Sequence, residues 1–305
     1  MKYYFFSAAL IIFAICVVAL LPLGLSFAED VFVTSQIPQN NSEVAGVQKY
    51  NIPPISKNIE VPFSTSRSIL VKDLETDTIL YQKDAFIPLP IASTTKIMTA
   101  LVASGYFQPN SVLTVNDGAK IPGAKVGLFS GEDLTFRSLL YGMLLNSGND
   151  AAYAISENYP GGVLGFVSAM NKKAIELNLN NTHFENPAGF DSPNHYSSAS
   201  DLSKITQEAL KDSQLSRIFS TKDTDIVSLD KKYKHQLRNL NKLLSQVSGV
   251  LGVKTGYTEG AKENLVTLVE RGGHKVLLIV LGSDDRFGET TSLINWTYAN
   301  FQWPN

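Results

Sequence analysis

The hydrophobic positions of this chain fall into three stretches of different character. Residues 5–21 form an unbroken apolar run, whereas residues 29–64 are rich in Asn, Gln, Ser and Pro and show no sustained period. From residue 65 onward, short apolar segments alternate with turn residues. Strands are predicted at 68–73, 78–83, 252–257, 263–271 and 275–282. Helices are predicted at 93–102, 134–145, 150–158, 163–177, 199–210 and 288–301.

The order of these segments predicts the architecture. The first two strands enclose a short turn and are expected to form a hairpin. Strands at both ends with helices between them indicate an α/β fold of the α+β type. In this fold one sheet is built from both ends and the helical middle packs as a second lobe. We expect the functional site in the cleft between the two lobes.

The apolar run at the N-terminus predicts export. Pro22 and Gly24 follow the run, and Ser26-Phe27-Ala28 places small residues at the −3 and −1 positions of a signal-peptidase site. The run is also close to the length of about 17–25 residues that spans a bilayer. Residues 1–28 are therefore either a cleaved signal peptide or an N-terminal membrane anchor, and the rest of the chain is expected to be extracytoplasmic.

Three domains are predicted from this pattern: residues 1–28 as the leader, 29–64 as a flexible linker and 65–305 as the globular domain. Any membrane contact is expected to come only from the N-terminal apolar segment. The chain ends at Asn305, directly after the predicted final helix, so no C-terminal anchor is expected.

Composition excludes several classes of function. The 305 residues are 44% hydrophobic and 18% charged, with a net charge of −2, which gives no reason to expect a nucleic-acid partner. The four histidines lack metal-ligand spacing, so neither a metal nor any other cofactor is expected. Cys16, the single cysteine, lies in the apolar run, so a disulfide framework and a thiol nucleophile are both excluded downstream of it.

Three short motifs carry the candidate chemistry. They are Ser93-Thr94-Thr95-Lys96, Ser147-Gly148-Asn149 and Lys254-Thr255-Gly256. Each is weak alone, and a second Ser-x-x-Lys occurs at Ser228-Leu229-Asp230-Lys231. Their order and their separations point to an active-site-serine enzyme that acts on D-alanyl peptides or on β-lactams.

The first motif supplies a nucleophile and a base. Ser93 is predicted at a helix N-terminus, where backbone N–H groups favour developing negative charge. Lys96 lies one turn further along the same helix face and can reach the Ser93 hydroxyl. A serine hydroxyl needs such a base, and burial beside another cation such as Lys254 would make neutral lysine accessible.

The other two motifs supply proton transfer and substrate binding. Ser147 and Asn149 are predicted in a turn between two helices, Ser147 as a proton relay and Asn149 as a partner of Lys96 and of the substrate amide. Lys254 and Thr255 are predicted on a strand that a peptide can pair with, where they would bind its terminal carboxylate.

An oxyanion hole is expected beside this strand. Gly256 would let the substrate backbone approach closely. The backbone N–H groups of Ser93 and Tyr257 would then stabilise the oxyanion.

Between residues 68 and 301 the chain resembles the D-alanyl-D-alanine carboxypeptidases, the low-molecular-mass penicillin-binding proteins. The resemblance lies in residues 90–100, 139–152, 170–174, 181–184, 186–187 and 252–258. It implies a β-lactamase/transpeptidase-like fold, with an antiparallel sheet flanked by helices. It also implies removal of the terminal D-alanine from peptidoglycan stem peptides through an acyl-enzyme on Ser93, and acylation of Ser93 by β-lactams.

The chain departs from the family pattern in places. Ala188 stands where the family often has histidine within Asn-Pro-x-Gly, and residues 259–264 are irregular against the usual pattern. The C-terminal β-domain and amphipathic helix common in such enzymes have no counterpart in the sequence.

Three alternatives remain open. A D-alanyl endopeptidase acting on peptidoglycan cross-links would use the same motifs and the same acyl-enzyme. A class A β-lactamase would need a glutamate for deacylation, and Glu176 stands in a matching Glu-x-x-Leu-Asn context, but Gly148 replaces the aspartate of those enzymes. An inert peptidoglycan-binding or β-lactam-sensing module is the third alternative.

Overall fold

The structure is a computed structural model that describes residues 52–304. Its strands are β1 (Ile55–Ser56), β2 (Ser68–Asp73), β3 (Ile79–Lys83), β4 (Val112–Thr114), β5 (Asp133–Thr135), β6 (Asp223–Val227), β7 (Lys234–Arg238), β8 (Val250–Thr258), β9 (Lys262–Arg271), β10 (His274–Ser283) and β11 (Phe301–Gln302). Its α-helices are α1 (Lys96–Ser104), α2 (Phe136–Leu145), α3 (Asn149–Glu157), α4 (Gly162–Glu176), α5 (Ala199–Leu210), α6 (Ser213–Ser220), α7 (Leu243–Gln246) and α8 (Arg286–Asn300). Short 3₁₀ helices occupy Ala92–Thr95 and Asp117–Lys120.

A five-stranded antiparallel sheet joins the two ends of the described chain. Its strand order is β3-β2-β10-β9-β8, so the early hairpin pairs directly with the last long strand. In that pairing Val71 lies opposite Leu278. The predicted sheet built from both ends is confirmed, and so is its flanking by helices.

Both faces of this sheet are buried, and successive residues alternate between two cores. Leu277 and Ile279 of β10 lie in the core shared with α1, α2 and α5, whereas Val276 and Leu278 lie in a second core with Ile294 of α8. The alternation follows because successive side chains of a strand point to opposite faces. Burying each such side chain contributes about 1.5–3 kcal/mol, so the sheet is a rigid base for β8, the strand that carries Lys254.

The helical lobe is organised around α1. This helix contacts α2, α3, α4 and α5, and Ile97, Met98 and Ala100 on it are fully buried. The segment that precedes α1 is therefore attached to a helix that cannot move without disrupting the core. Its geometry differs from the prediction, because Ser93 lies in a 3₁₀ turn before α1 and not at the first residue of an α-helix.

The sequence pattern missed two small hairpins, β4–β5 and β6–β7, and the short helices α6 and α7. In β6 only Ile226 is buried. The other elements are short, so even the buried residues of α6, Leu215, Ile218 and Phe219, do not extend into a sustained hydrophobic period.

The domain begins earlier than residue 65, which corrects the predicted linker boundary. β1 pairs with β11, with Ile55 opposite Gln302, and the Trp296 indole N–H donates to the Ile59 carbonyl at 2.9 Å. These contacts are isolated and come from residues more than two hundred positions away, so they leave no period in the sequence. The predicted leader and residues 29–51 of the predicted linker lie outside the described residues.

Glu289 of α8 fixes the same segment. Its carboxylate accepts hydrogen bonds from the hydroxyls of Ser64, Thr65 and Ser66. Burial opposes its ionisation, but these hydrogen bonds outweigh burial and lower the pKa of Glu289 to about 2. No helix within residues 52–304 is long and apolar enough to cross a membrane.

Candidate active site

The structure places the Ser93 hydroxyl and the Lys96 amine side by side. Lys96 Nζ lies 2.8 Å from Ser93 Oγ. The 3₁₀ turn explains this contact, because side chains at i and i+3 eclipse each other in that helix. The predicted contact between the Ser93 hydroxyl and the Lys96 amine is thus present in the structure.

Lys96 is the most constrained side chain of the site. It is 0% exposed, and its ammonium also donates to Asn149 Oδ1 at 2.8 Å and to the Ala188 carbonyl at 2.6 Å. Burial, and then the nearby Lys254, lower the pKa of Lys96 well below its ordinary value, although Asp150 acts in the opposite direction. A lysine in this environment loses its proton more readily than an exposed lysine, as a base must.

Ser147 connects this pair to the second lysine. It lies between α2 and α3 with a left-handed backbone, φ +57°. A non-glycine residue in that region is strained, and such strain is often found at functional sites. Lys254 Nζ donates to Ser147 Oγ at 2.9 Å. Burial, and then Arg286, lower the pKa of Lys254 to about 7.

β8 runs directly beside the nucleophile segment. A Cβ atom added at Gly256 would lie 3.1 Å from Ser93 N and 3.1 Å from the Ile91 carbonyl oxygen, closer than ordinary contacts. Only glycine lets the two backbones approach this closely. Thr255 is buried in the same strand, and the Tyr257 side chain is 54% exposed.

The predicted site residues therefore converge. Direct hydrogen bonds join Ser93, Lys96 and Asn149 in one group and Ser147 and Lys254 in another. Burial and charge couple the two groups, because Lys254 acts on the pKa of Lys96. The arrangement offers a hydroxyl beside a desolvated amine, a second hydroxyl in contact with a second buried amine, and a cationic strand edge.

Comparison with known proteins identifies the family. The family model for D-alanyl-D-alanine carboxypeptidases, Peptidase_S11, matches residues 56–285. The chain belongs to this carboxypeptidase family.

Individual relatives agree with this assignment. The D-alanyl-D-alanine carboxypeptidase of Streptomyces sp. (strain K15) is 36% identical over 245 residues, which cover 73% of this chain and 84% of the relative. The carboxypeptidase DacF of Bacillus subtilis is 33% identical over 247 residues, and the match spans 78% of this chain but 63% of DacF. A D-alanyl-D-alanine endopeptidase of Pseudomonas aeruginosa is 32% identical, with 76% of each chain covered.

Solved structures show the same fold. The crystal structure of the Streptomyces K15 DD-transpeptidase superposes with a TM-score of 0.74 at 32% identity, covering 79% of this chain and 100% of that chain. The predicted transpeptidase-like fold is confirmed.

The sequence did not predict two groups that contact the site residues. The Ala188 carbonyl is one; it accepts from Lys96, and Asn186 Oδ1 holds its loop by accepting from the backbone N–H of Ala188, Gly189 and Phe190. Because the contact uses the backbone, the absence of the family's usual histidine at position 188 does not remove it. No side-chain motif could have signalled it.

Arg286 is the other. It begins α8, and its Nη1 donates to the Gly256 carbonyl at 2.8 Å. Its charge acts on Lys254 and adds to the positive potential along β8. Its position beside Gly256 depends on the packing of α8 and could not be read from the sequence.

Proposed function

We propose that this protein is a serine-type D-alanyl-D-alanine carboxypeptidase that removes the terminal D-alanine of peptidoglycan stem peptides through an acyl-enzyme on Ser93. The observation that carries the proposal is the buried Lys96 amine, 2.8 Å from Ser93 Oγ and with a pKa held well below the ordinary lysine value. Membership of the carboxypeptidase family supports the substrate class.

Acylation begins with proton transfer inside this pair. Neutral Lys96 accepts the proton of Ser93 Oγ as that oxygen forms a bond to the carbonyl carbon of the penultimate D-alanine. The carbonyl oxygen becomes an oxyanion between the backbone N–H groups of Ser93 and Tyr257. In well-studied hydrolases, each such donor lowers the activation barrier by about 3–4 kcal/mol.

Release of D-alanine requires a proton on its nitrogen. As the C–N bond breaks, we assign Ser147, which the Lys254 amine contacts at 2.9 Å, to relay to that nitrogen the proton that Lys96 took from Ser93, so that Lys96 becomes neutral again. Lys254, Thr255 and Arg286 surround the edge where the substrate carboxylate would bind. Water then attacks the ester carbon as its proton passes to neutral Lys96; the bond between that carbon and Ser93 Oγ breaks, and Lys96 returns the proton to Oγ.

The proposal extends to β-lactams, because their strained amide can acylate Ser93 by the same route. The residues that would hold the peptide carboxylate would also hold the carboxylate of penicillin. We assign Asn149 to holding Lys96, whose amine contacts its Oδ1 at 2.8 Å, and the acyl-side amide of the substrate.

Release of D-alanine tests the proposed function. The full chain is incubated with a stem pentapeptide ending in D-alanyl-D-alanine, and free D-alanine is measured over time. We expect one D-alanine per peptide, and none from the Ser93→Ala variant. Binding of the peptide by the wild-type protein without release of D-alanine would instead indicate a binding module.

Cleavage of cross-links is the second candidate, because relatives named D-alanyl-D-alanine endopeptidase match this chain at 32% and 29% identity. Both activities use the same acyl-enzyme. A cross-linked muropeptide dimer separates them: its conversion to monomers faster than the release of D-alanine from pentapeptide would favour the endopeptidase.

A β-lactamase is disfavoured by the position of Glu176. This residue ends α4, and its exposed carboxylate accepts from Lys173 at 2.6 Å. Its contacts are with its own helix and not with Ser93 or Lys96, so it does not provide a base for rapid deacylation.

We also propose that the domain works outside the cytoplasm, delivered by residues 1–28 and separated from them by the segment that ends near residue 52. N-terminal sequencing of the mature protein tests the leader. A sequence that begins at Glu29 would show cleavage, and an intact N-terminus in the membrane fraction would show an anchor.

A further inference from the structure

The role of Asn149 depends on which end of its amide faces Lys96. The oxygen Oδ1 accepts from Lys96 Nζ at 2.8 Å, and the nitrogen Nδ2 donates to the Pro122 carbonyl at 2.8 Å. The backbone N–H of Asn149 donates to the Ala124 carbonyl at 2.7 Å. Residues 122–124 thus fix the amide so that an acceptor faces the lysine.

These residues belong to a segment without regular structure. Residues 121–132 contain no helix or strand. A segment of this kind needs another source of order if it is to hold a catalytic side chain to a fraction of an ångström.

The neighbouring residue supplies that order. The Asp150 carboxylate is 0% exposed and accepts from the backbone N–H groups of Val126 at 3.0 Å, Gly127 at 2.8 Å and Leu128 at 3.2 Å. It also accepts from its own helix at Ala151 N, 2.9 Å away. Hydrogen bonds to an ionised carboxylate are shorter and stronger than neutral ones.

The packing around Asp150 leaves no room for a side chain at position 148. A Cβ added at Gly148 would lie 2.8 Å from Asp150 Oδ1 and 2.7 Å from Val126 Cγ2. This contact explains why glycine stands between Ser147 and Asn149. The central residue of the motif is small because the segment held by Asp150 passes against it.

The charge of Asp150 also acts on Lys96. Burial and then Lys254 of β8 lower the pKa of Lys96, and Asp150 of α3 partly opposes them. His195, reached through Thr95 Oγ1 at 2.8 Å, is buried, and its pKa is lowered to about 4, chiefly by burial, so it is neutral at neutral pH. Arg286 acts on Lys254.

We infer that Asp150 is a positioning residue for the Ser93–Lys96 pair: it clamps residues 126–128, and this clamp holds Pro122 and Ala124 where they turn the oxygen of Asn149 toward Lys96. The inference rests on the proposed acylation of Ser93. Asp150 does not touch the substrate in this account. It acts through the segment and through its charge.

Two substitutions separate the clamp from the charge. Asp150→Asn keeps the size of the side chain and removes its charge. It also leaves one acceptor oxygen where the two carboxylate oxygens now accept backbone N–H groups. Asp150→Glu keeps the charge and displaces the carboxylate. Asp201→Asn is the matched control, since Asp201 is also a buried carboxylate that accepts a backbone N–H, from Asn181 at 2.8 Å, but contacts none of the site residues.

The readouts are the rate of acylation by benzylpenicillin as a function of pH and amide hydrogen exchange of residues 122–128, both in the full chain. For Asp150→Asn we expect a loss of about 10²-fold in acylation rate, the effect of a misplacement near 1 Å. Exchange of the three clamped amides should accelerate at least tenfold. The acylation rate should rise with pH as Lys96 loses its proton. In Asp150→Asn this rising limb of the pH profile should move to lower pH, because removing a negative charge lowers the pKa of Lys96 further.

The variants then decide between roles. Asp150→Glu should lose rate while its rising limb stays in place, and Asp201→Asn should keep both the rate and the limb. Acylation of Asp150→Asn at the wild-type rate, with an unmoved limb, would overturn the inference. If Asp150→Asn does not fold, unprotected exchange at residues 126–128 in the wild type would overturn it equally. Failure of the wild type to be acylated at Ser93 would reject the proposed function, whereas the exchange measurement would still test the clamp.

Discussion

The chain contains the Ser-x-x-Lys pattern in two places, and the two places have different chemistry. At Ser93 and Lys96 the side chains eclipse across a 3₁₀ turn, and the lysine is fully buried. At Ser228 and Lys231 the same spacing lies in the turn between β6 and β7, where Ser228 is buried but Lys231 is exposed and has a left-handed backbone of φ +62°. There the serine hydroxyl donates to Asp230 Oδ1 at 2.7 Å and helps to close the turn.

The difference shows that spacing alone does not create a nucleophile. In the proposed mechanism Lys96 is the base for Ser93, because it is desolvated, is placed by α1 and lies near a second cation, Lys254. The Ser228 hydroxyl instead donates a hydrogen bond to the Asp230 carboxylate, and this contact helps to fix the turn. Four predictions test this comparison.

The largest effect is expected at the nucleophile. Ser93→Ala should abolish covalent labelling by benzylpenicillin, because Ser147, the other hydroxyl with a buried amine beside it, transfers protons in the proposed mechanism and does not attack the carbonyl. Intact-mass measurement of the variant checks this. Ser228→Ala is the control and should be labelled like the wild type, whereas labelling of Ser93→Ala would break the comparison.

The base is expected to follow. Lys96→Ala should slow acylation by about 10²–10⁴-fold, the usual contribution of a general base. Stopped-flow measurement of the acylation rate checks this, with Lys231→Ala as the control at the wild-type rate. Equal effects of the two substitutions would contradict the account.

The second lysine sharpens the electrostatic part. Lys254→Gln should slow acylation by about 10²-fold, since it removes the amine that supports proton transfer through Ser147. The rising limb of the pH profile should also move to higher pH. The sign follows because the positive charge of Lys254 lowers the pKa of Lys96, so its removal lets Lys96 keep its proton to higher pH. An unmoved limb would mean that the two lysines are not coupled.

The smallest effect is expected at the strand edge. Gly256→Ala would bring a methyl group 3.1 Å from Ser93 N, and the neighbours must shift by a few tenths of an ångström. We expect a loss of about tenfold in acylation rate, less than the effect of a 1 Å misplacement. Gly105→Ala is the matched control, because its added methyl group meets only ordinary contacts of 3.5 Å or more and should leave the rate unchanged.

Much of this fold was predictable because its elements have buried faces. The strands and helices that surround the site carry clear periods, and the sheet built from both ends follows from their order. The three motifs also marked the residues that the structure brings together. Their contacts involve one residue from each of several well-packed elements, which is the kind of site that sequence reasoning can assemble.

The remainder depends on contacts that leave no local signal. The Ala188 carbonyl, the Asp150 contacts with residues 126–128 and the position of Arg286 depend on tertiary packing. In the sequence, these residues could equally belong to an ordinary loop, a helix start or a solvated surface. The segment at residues 52–64 resembled a linker because it is rich in proline. It is held by β11 and by Glu289, which no pattern within the segment reveals.

The central claim is that environment, not the Ser-x-x-Lys pattern, selects the nucleophile. The most direct measurement is peptide mapping of the full chain after reaction with excess benzylpenicillin, with the stoichiometry taken from the intact mass. The account predicts one adduct per chain, on Ser93, with Ser228 unmodified. An adduct on Ser228, or an unmodified Ser93, would contradict it.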